Sequence, residues 1–181
     1  IIKGQNERLN MQVEKVLQLT KIDRQNIELK NEKISIHDCI NAIVQSVELK
    51  LKNKEGSIDT LLLAKNDIIS CDKLHLTNIL YNIIDNAMKY SPEKPKIRLE
   101  TSEMEGFLCL KVLDNGIGIA PEHIKEVKKK FFRVPTGKVH NVKGFGLGLY
   151  YVNQVCKAHK WSWSIESKID VGTTISFKMK R

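Results

Sequence analysis

No stretch of this 181-residue chain is apolar for long enough to cross a bilayer, and no leader-peptide pattern is present. Cysteine is scarce. Cys39, Cys71, Cys109 and Cys156 are scattered in apolar contexts, with neither metal-ligand spacing nor a paired framework. They read as reduced core residues in a cytosolic setting. Aromatic residues make up only 6% of the chain. The basic residues are not interleaved with them, so a stacking platform for nucleic acid is not expected. Internal repeats and low-complexity tracts are missing. So are a Walker A loop, a dinucleotide G-x-G-x-x-G and the eukaryotic protein-kinase motif set.

What is there is globular: 41% hydrophobic and 28% charged, enough for one good core plus an appendage. The formal charge of +9 leaves an anionic partner open. Much of it falls in one window, at Lys125, Lys128, Lys129, Lys130, Arg133, Lys138 and Lys143. A solvated face would explain such a run equally well.

Taken in order, residues 1–30 carry Ile2, Leu9, Val13, Val16, Leu17 and Thr20 in a heptad-like stripe, which predicts a long helix without a core of its own. A break is expected at Asn31-Glu32-Lys33, then a short strand at Ile34 and Ile36. Next comes a helix capped by Asp38 and closed by Gly56 as a left-handed cap. Residues 58–64 and 67–71 read as short strands. Residues 72–91 carry Leu76, Ile79, Leu80, Ile83, Ile84 and Ala87 at helical spacing, with Asp72 as N-cap and Ser91-Pro92 as the stop. An antiparallel hairpin follows over 96–103 and 107–113, turning at Glu105-Gly106. A helix is expected from Pro121 to about residue 130, a long loop over 132–146, a helix over 147–159, and a closing hairpin over 161–167 and 173–179. The pattern predicts an α+β fold of two layers, a mostly antiparallel mixed sheet with helices on one face.

Three features carry chemistry. Asn78, Asn82 and Asn86 stand four apart on one helix face, where Lys and Glu would be the usual solvated choice. Drift of a half-exposed face would explain them. So would amide oxygens turned into a pocket to hold a hydrated cation. Asp114-Asn115-Gly116-Ile117-Gly118-Ile119 ends a strand, and Gly144-Phe145-Gly146-Leu147-Gly148-Leu149 opens a helix. A glycine run ending in a helix N-terminus suits a phosphate chain, though a tight turn would also explain it. Asp114 is acceptor-only when ionised, so at the base of a pocket it can take the exocyclic amine of adenine and refuse the carbonyl of guanine; a turn-forming Asp after a strand would also explain it.

The order N-x-x-x-N-A-x-K-Y-S, D-x-G-x-G-I, a basic loop, G-x-G-x-G-L and G-T-T resembles the catalytic ATP-binding domain of bacterial sensor histidine kinases, of the GHKL superfamily. The likeness covers residues 34–181. It implies that residues 1–31 are the second helix of the dimerisation and phosphotransfer domain and that 32–181 are the catalytic domain. It further implies that Asn86, with Asn82 beside it, holds a magnesium ion bridging the phosphates of ATP. Lys89 and Tyr90 would face phosphates and ribose, and Asp114 would take the adenine amine with room given by Gly116, Gly118 and Ile119. Arg133, Lys138 and Lys143 would belong to the family's ATP lid. Gly144, Gly146, Leu147 and Gly148 would cradle the phosphates, and Thr173 or Thr174 would back the adenine. Catalytic roles fall to Asn82, Lys89 and Arg133. The implied partners are a phosphoacceptor helix, a response regulator and a second copy in the full-length parent. That parent would be anchored in the bacterial inner membrane, with this domain in the cytoplasm.

ATPases of the superfamily carry a Glu at the position of Asn82. An amide is no general base, so transfer to a protein histidine is expected rather than hydrolysis. None of His37, His75, His123, His140 and His159 sits in the acceptor motif, and all five read as structural. A non-catalytic nucleotide-binding scaffold is the alternative. Three departures from the family pattern stand out: Lys128 where a Phe is usual, Lys160-Trp161 for Gly-Gly, and Asp170 for the first glycine of G-x-G-T.

Overall fold

In the computed structural model, the structure describes residues 27–91, 93–134 and 145–181. The expected N-terminal helix therefore lies outside the described residues. Two layers are formed. One is a five-stranded sheet in the order β2-β4-β5-β7-β6; the other is helical and lies on one face of it. The elements are β1 (Asn31–Ser35), α1 (Ile36–Lys52), β2 (Ser57–Leu62), β3 (Ile68–Asp72), α2 (Lys73–Tyr90), β4 (Lys96–Met104) and β5 (Phe107–Asp114). After two 3-10 turns come α3 (Gly148–Ala158), β6 (Ser162–Lys168) and β7 (Gly172–Lys180).

The inward face of the sheet follows period-two alternation. Ile97, Leu99 and Thr101 of β4, Leu108, Leu110 and Val112 of β5, and Ile175, Phe177 and Met179 of β7 are all buried. Against them pack the apolar stripes of α1 (Ile36, Ile40, Ile43, Val47, Leu51), α2 (Leu76, Ile79, Leu80, Ile83, Ile84, Ala87) and α3 (Val152, Val155, Cys156). β2 pairs parallel with β4, because the route between them passes through β3 and α2. The expected single sheet is corrected here: β1 and β3 form a separate two-stranded antiparallel ribbon. Among the described residues, no helix is long and apolar enough to cross a membrane.

Several local expectations change. The break at Asn31-Glu32-Lys33 is strand, since these residues pair with Asp72, Cys71 and Ser70. Ser35, not Asp38, caps α1; its hydroxyl accepts from the Asp38 N–H. Glu55 takes the left-handed conformation expected of Gly56, at φ 53°. Gly56 is needed for closeness instead, because a Cβ there would meet the Pro95 carbonyl at 2.6 Å. The helix expected from Pro121 is two 3-10 turns, Pro121–His123 and Glu126–Lys128. Ile124 and Val127, three apart, both pack on the core, a spacing that three residues per turn serves. Asp72 caps α2 by accepting from the His75 N–H, as its sequence suggested.

Candidate functional site

At one end of the sheet a row of inward-facing residues runs across four strands. Ile97 of β4 pairs with Asp114 of β5, Asp114 with Thr173 of β7, and Thr173 with Ser167 of β6. Asp114 Oδ1 accepts from the Gly116 N–H at 2.8 Å and the Thr173 N–H at 3.2 Å. Burial pushes the Asp114 carboxyl above the usual range, and these two bonds pull it back only in part. Gly172, at φ 136°, lets β7 lie against the Asp114 carbonyl, an approach that any Cβ would block. Alternation decides between the two threonines: Thr173 shares the face of Asp114, whereas Thr174 pairs with Leu113 and Glu166 on the other face.

The end of α2 closes over this row. The Tyr90 carbonyl accepts from the Ile117 N–H at 3.0 Å, and a Cβ on Gly116 would meet that same carbonyl at 3.0 Å. Gly118 lies against the Lys168 carbonyl, and the Asp170 N–H donates to the Ile117 carbonyl at 2.9 Å. The Asp114–Ile119 loop is thus clamped between α2 and the β6–β7 turn. Asp170 adopts φ 58° there, so the family's glycine is not needed.

Along α2, the Asn82 amide nitrogen donates to the Asn78 carbonyl at 2.8 Å. Its oxygen lies toward Gly148, where a Cβ would meet it at 3.2 Å. The start of α3 therefore sits directly beside the Asn stripe. Asn86 is half-buried, and no hydrogen bond to its amide is found among the described residues. Asn78 instead donates to the Tyr151 hydroxyl at 3.3 Å, a group that also bonds His75 Nδ1 at 2.7 Å and that burial pushes up to about 12.

Other site residues are used differently from their sequence assignment. Lys89 is engaged by Asp85 one turn earlier, and Tyr90 is exposed at the end of α2. Gly146, at φ 68°, serves the approach of the Phe132 carbonyl, while its own carbonyl accepts from the Phe131 N–H at 3.1 Å. Leu147 is buried in the core as the first residue of α3's cap, so it supports the helix start. Arg133 is exposed; Lys138, Lys143 and Gly144 lie outside the described residues.

Lys128 is half-buried with its ammonium 4.1 Å over the Trp163 ring, so the position of the usual Phe is filled rather than loose. Lys160 takes φ 57° after α3, and the Trp161 N–H reaches the Cys156 carbonyl at 2.8 Å, a Schellman closure made without glycine. Two roles escaped sequence reading. Asn115 Oδ1 accepts from the Lys96 N–H at 2.8 Å, tying the α2–β4 turn to the loop. Ser167 bonds Ile119, Gly172 and Thr173. The alternation of Trp163 and Ile165 could have put Ser167 on the inward face.

Sensor protein RprX of Bacteroides fragilis (strain YCH46) is 41% identical over 175 residues, which is 96% of this chain and 34% of that protein. Sensor histidine kinase WalK of Bacillus subtilis (strain 168) is 32% identical over 186 residues, covering 99% and 30%. The chain thus spans about a third of the length of these curated relatives. Among solved structures, full-length ShkA in complex with AMPPNP superposes with a TM-score of 0.85 at 22% identity, over 97% of this chain and 36% of that one. Histidine kinase ThkA in complex with the response regulator TrrA gives 0.76 at 18%, over 99% and 49%. At these identities the likeness is one of fold. Residues 71–181 match the family described as histidine kinase-, DNA gyrase B- and HSP90-like ATPase, and the chain belongs to that family.

Proposed function

We propose that this chain is the ATP-binding catalytic domain of a sensor histidine kinase, and that it directs the γ-phosphoryl of ATP to a histidine on a separate phosphoacceptor helix. One observation carries the reading. Asp114 is anchored through a single carboxylate oxygen by two backbone N–H groups, which leaves its second oxygen as an acceptor at this end of the sheet. That is the chemistry an adenine amine needs.

Magnesium fits the residues present. The half-buried Asn86 amide supplies a neutral oxygen, the ligand type a hard cation takes. Among the described residues no cluster of three or more His, Cys, Asp or Glu could hold a metal. The ion would therefore owe most of its ligands to phosphate and water, and it would supply charge neutralisation between the phosphates. Asn82, with its amide directed to Asn78 and Gly148, has no basicity with which to activate water. The chain's own work is positioning: Asp114 and Thr173 for the base, Asn86 for the metal, and the start of α3 for the phosphate chain.

The relatives' names support a parent that signals to a response regulator, as the ThkA–TrrA complex does for ThkA. From the motif resemblance alone we also infer a homodimeric parent anchored in the bacterial inner membrane, with this domain on the cytoplasmic side. The test mixes the protein with Mg-ATP and a separately made acceptor helix from the parent. Acid-labile, base-stable phosphate on the helix is expected. Nucleotide binding without transfer would reduce the chain to a scaffold.

A further inference from the structure

Ser167 belongs to none of the glycine or asparagine motifs, yet its hydroxyl is fully engaged. It accepts from the Ile119 N–H at 2.8 Å, donates to the Gly172 carbonyl at 3.0 Å, and lies 2.8 Å from Thr173 Oγ1. A hydroxyl owns one proton, and a carbonyl can only accept. With the Ser167 proton on the Gly172 carbonyl, which can only accept, the bond between the two hydroxyls runs from Thr173 to Ser167. Thr173 Oγ1 is then left with lone pairs alone. Its register partner Asp114 is a carboxylate, also without a proton to give when ionised. The Thr173 N–H is spent on Asp114 Oδ1.

We propose that Ser167 is a specificity-determining positioning residue, which keeps the Thr173 proton on Ser167 and so makes the Asp114–Thr173 end of the sheet an all-acceptor edge. Such an edge takes a nucleobase whose six-membered ring carries an exocyclic amine and refuses one with a carbonyl in that place. The inference rests on the nucleotide reading given above and deepens it. Without Ser167 the Thr173 hydroxyl is free to turn and donate to a carbonyl, and the refusal weakens.

The experiment measures dissociation constants for Mg-ATP and Mg-ITP, which differ in that amine and carbonyl and in the N1 proton that accompanies the carbonyl, on the full chain. Wild type is expected to prefer ATP. In Ser167→Ala the ratio should narrow roughly five- to tenfold, the size of one hydrogen bond. Ser167→Thr keeps a hydroxyl and should restore it. Thr173→Val removes the acceptor while keeping the β-branched shape, and should narrow the ratio even if Ser167→Ala folds poorly. Adding Ser167→Ala to Thr173→Val should change the ratio no further, because Ser167 acts through Thr173. Equal loss of both nucleotides in Ser167→Ala, or a further change in the Thr173→Val background, would overturn the role of Ser167 and leave the nucleotide site standing. Wild-type indifference to both nucleotides overturns the site itself, and this proposal with it.

Discussion

The Lys128 ammonium sits 4.1 Å above the ring of Trp163, whose other neighbours are fixed. The Trp163 indole N–H donates to Asn153 Oδ1 at 3.2 Å, and its ring stacks on Phe177 at 6.1 Å. The ring is therefore held in place before Lys128 meets it. A cation over a half-buried indole is worth about 0.5–2 kcal/mol. Lys128→Met keeps the stem and removes the charge, and Trp163→Leu removes the ring. A double-mutant cycle in urea is expected to give a coupling in that range. Strict additivity would mean that the second 3-10 turn is held by its apolar contacts alone.

Asp114→Asn separates binding from stability. Burial raises the Asp114 pKa, so the charged form is the costly one in the folded protein. Between the ordinary carboxylate range and the raised value, the folded state holds more protons than the unfolded chain, and stability falls as pH rises through that window. Asn retains the Oδ1 acceptor for Gly116 and Thr173 without the charge. At pH 7 the variant is expected to be as stable as wild type or more so, to bind Mg-ATP at least tenfold more weakly, and to discriminate less against GTP. Wild-type affinity for ATP should decline on acidification before that of a protein whose carboxylate has the usual pKa. Unchanged ATP affinity in the variant would remove Asp114 from the base-binding role.

Much of this was legible in the chain because short-range patterns carried it. The period-two runs of β4 and β5, the helical stripe of α2 and the Asp72 cap are local statements, and the structure keeps them. What escaped depends on contacts distant in sequence. Gly146 looks like a phosphate-cradling glycine, yet its missing Cβ is required by the Phe132 carbonyl fourteen residues earlier. Lys128 looks like a lost anchor until Trp163 is brought beneath it. Glu55, Lys160 and Asp170 take left-handed backbone that a reader reserves for glycine, because their turns close by hydrogen bonds that compensate the strain. At the site, the sequence offered Thr173 and Thr174 as equals, and only the register with Asp114 separates them.

His159 gives a second pH handle, of the opposite sign. Its Nδ1 bonds the Val155 carbonyl at 3.1 Å and its Nε2 accepts from the Asp72 N–H at 3.1 Å, an arrangement for the neutral ring. Burial lowers its pKa; the Val155 bond opposes this in part, and His75 (lowering) and the Asp72 carboxylate (raising) act more weakly. Below about pH 6.5 the unfolded chain takes up a proton that the folded state refuses, so stability is lost as pH falls from there toward the lowered value. His159→Gln should cost about 1–3 kcal/mol at neutral pH through the Asp72 N–H and the lost stack on Trp161. It should also flatten that part of the stability profile. A variant as acid-sensitive as wild type below about pH 6.5 would take the slope away from His159.

Asn86→Ala tests the metal end of the cleft. The Asn86 amide is half-buried and contributes no hydrogen bond to the described fold, so its loss should change stability by no more than about 0.5 kcal/mol. Its neighbour Asn82 is different, being bonded to Asn78 and packed on Gly148. If Asn86 supplies an oxygen to magnesium, its removal should leave ATP affinity in EDTA unchanged and abolish the gain on adding magnesium. Asn82→Glu, by contrast, should leave that gain in place and add slow phosphate release, since a carboxylate next to the start of α3 can accept a proton from water. Calorimetric titrations with and without magnesium distinguish the two. A full magnesium effect in Asn86→Ala would move the metal to other oxygens and reduce the Asn stripe to a feature of helix packing.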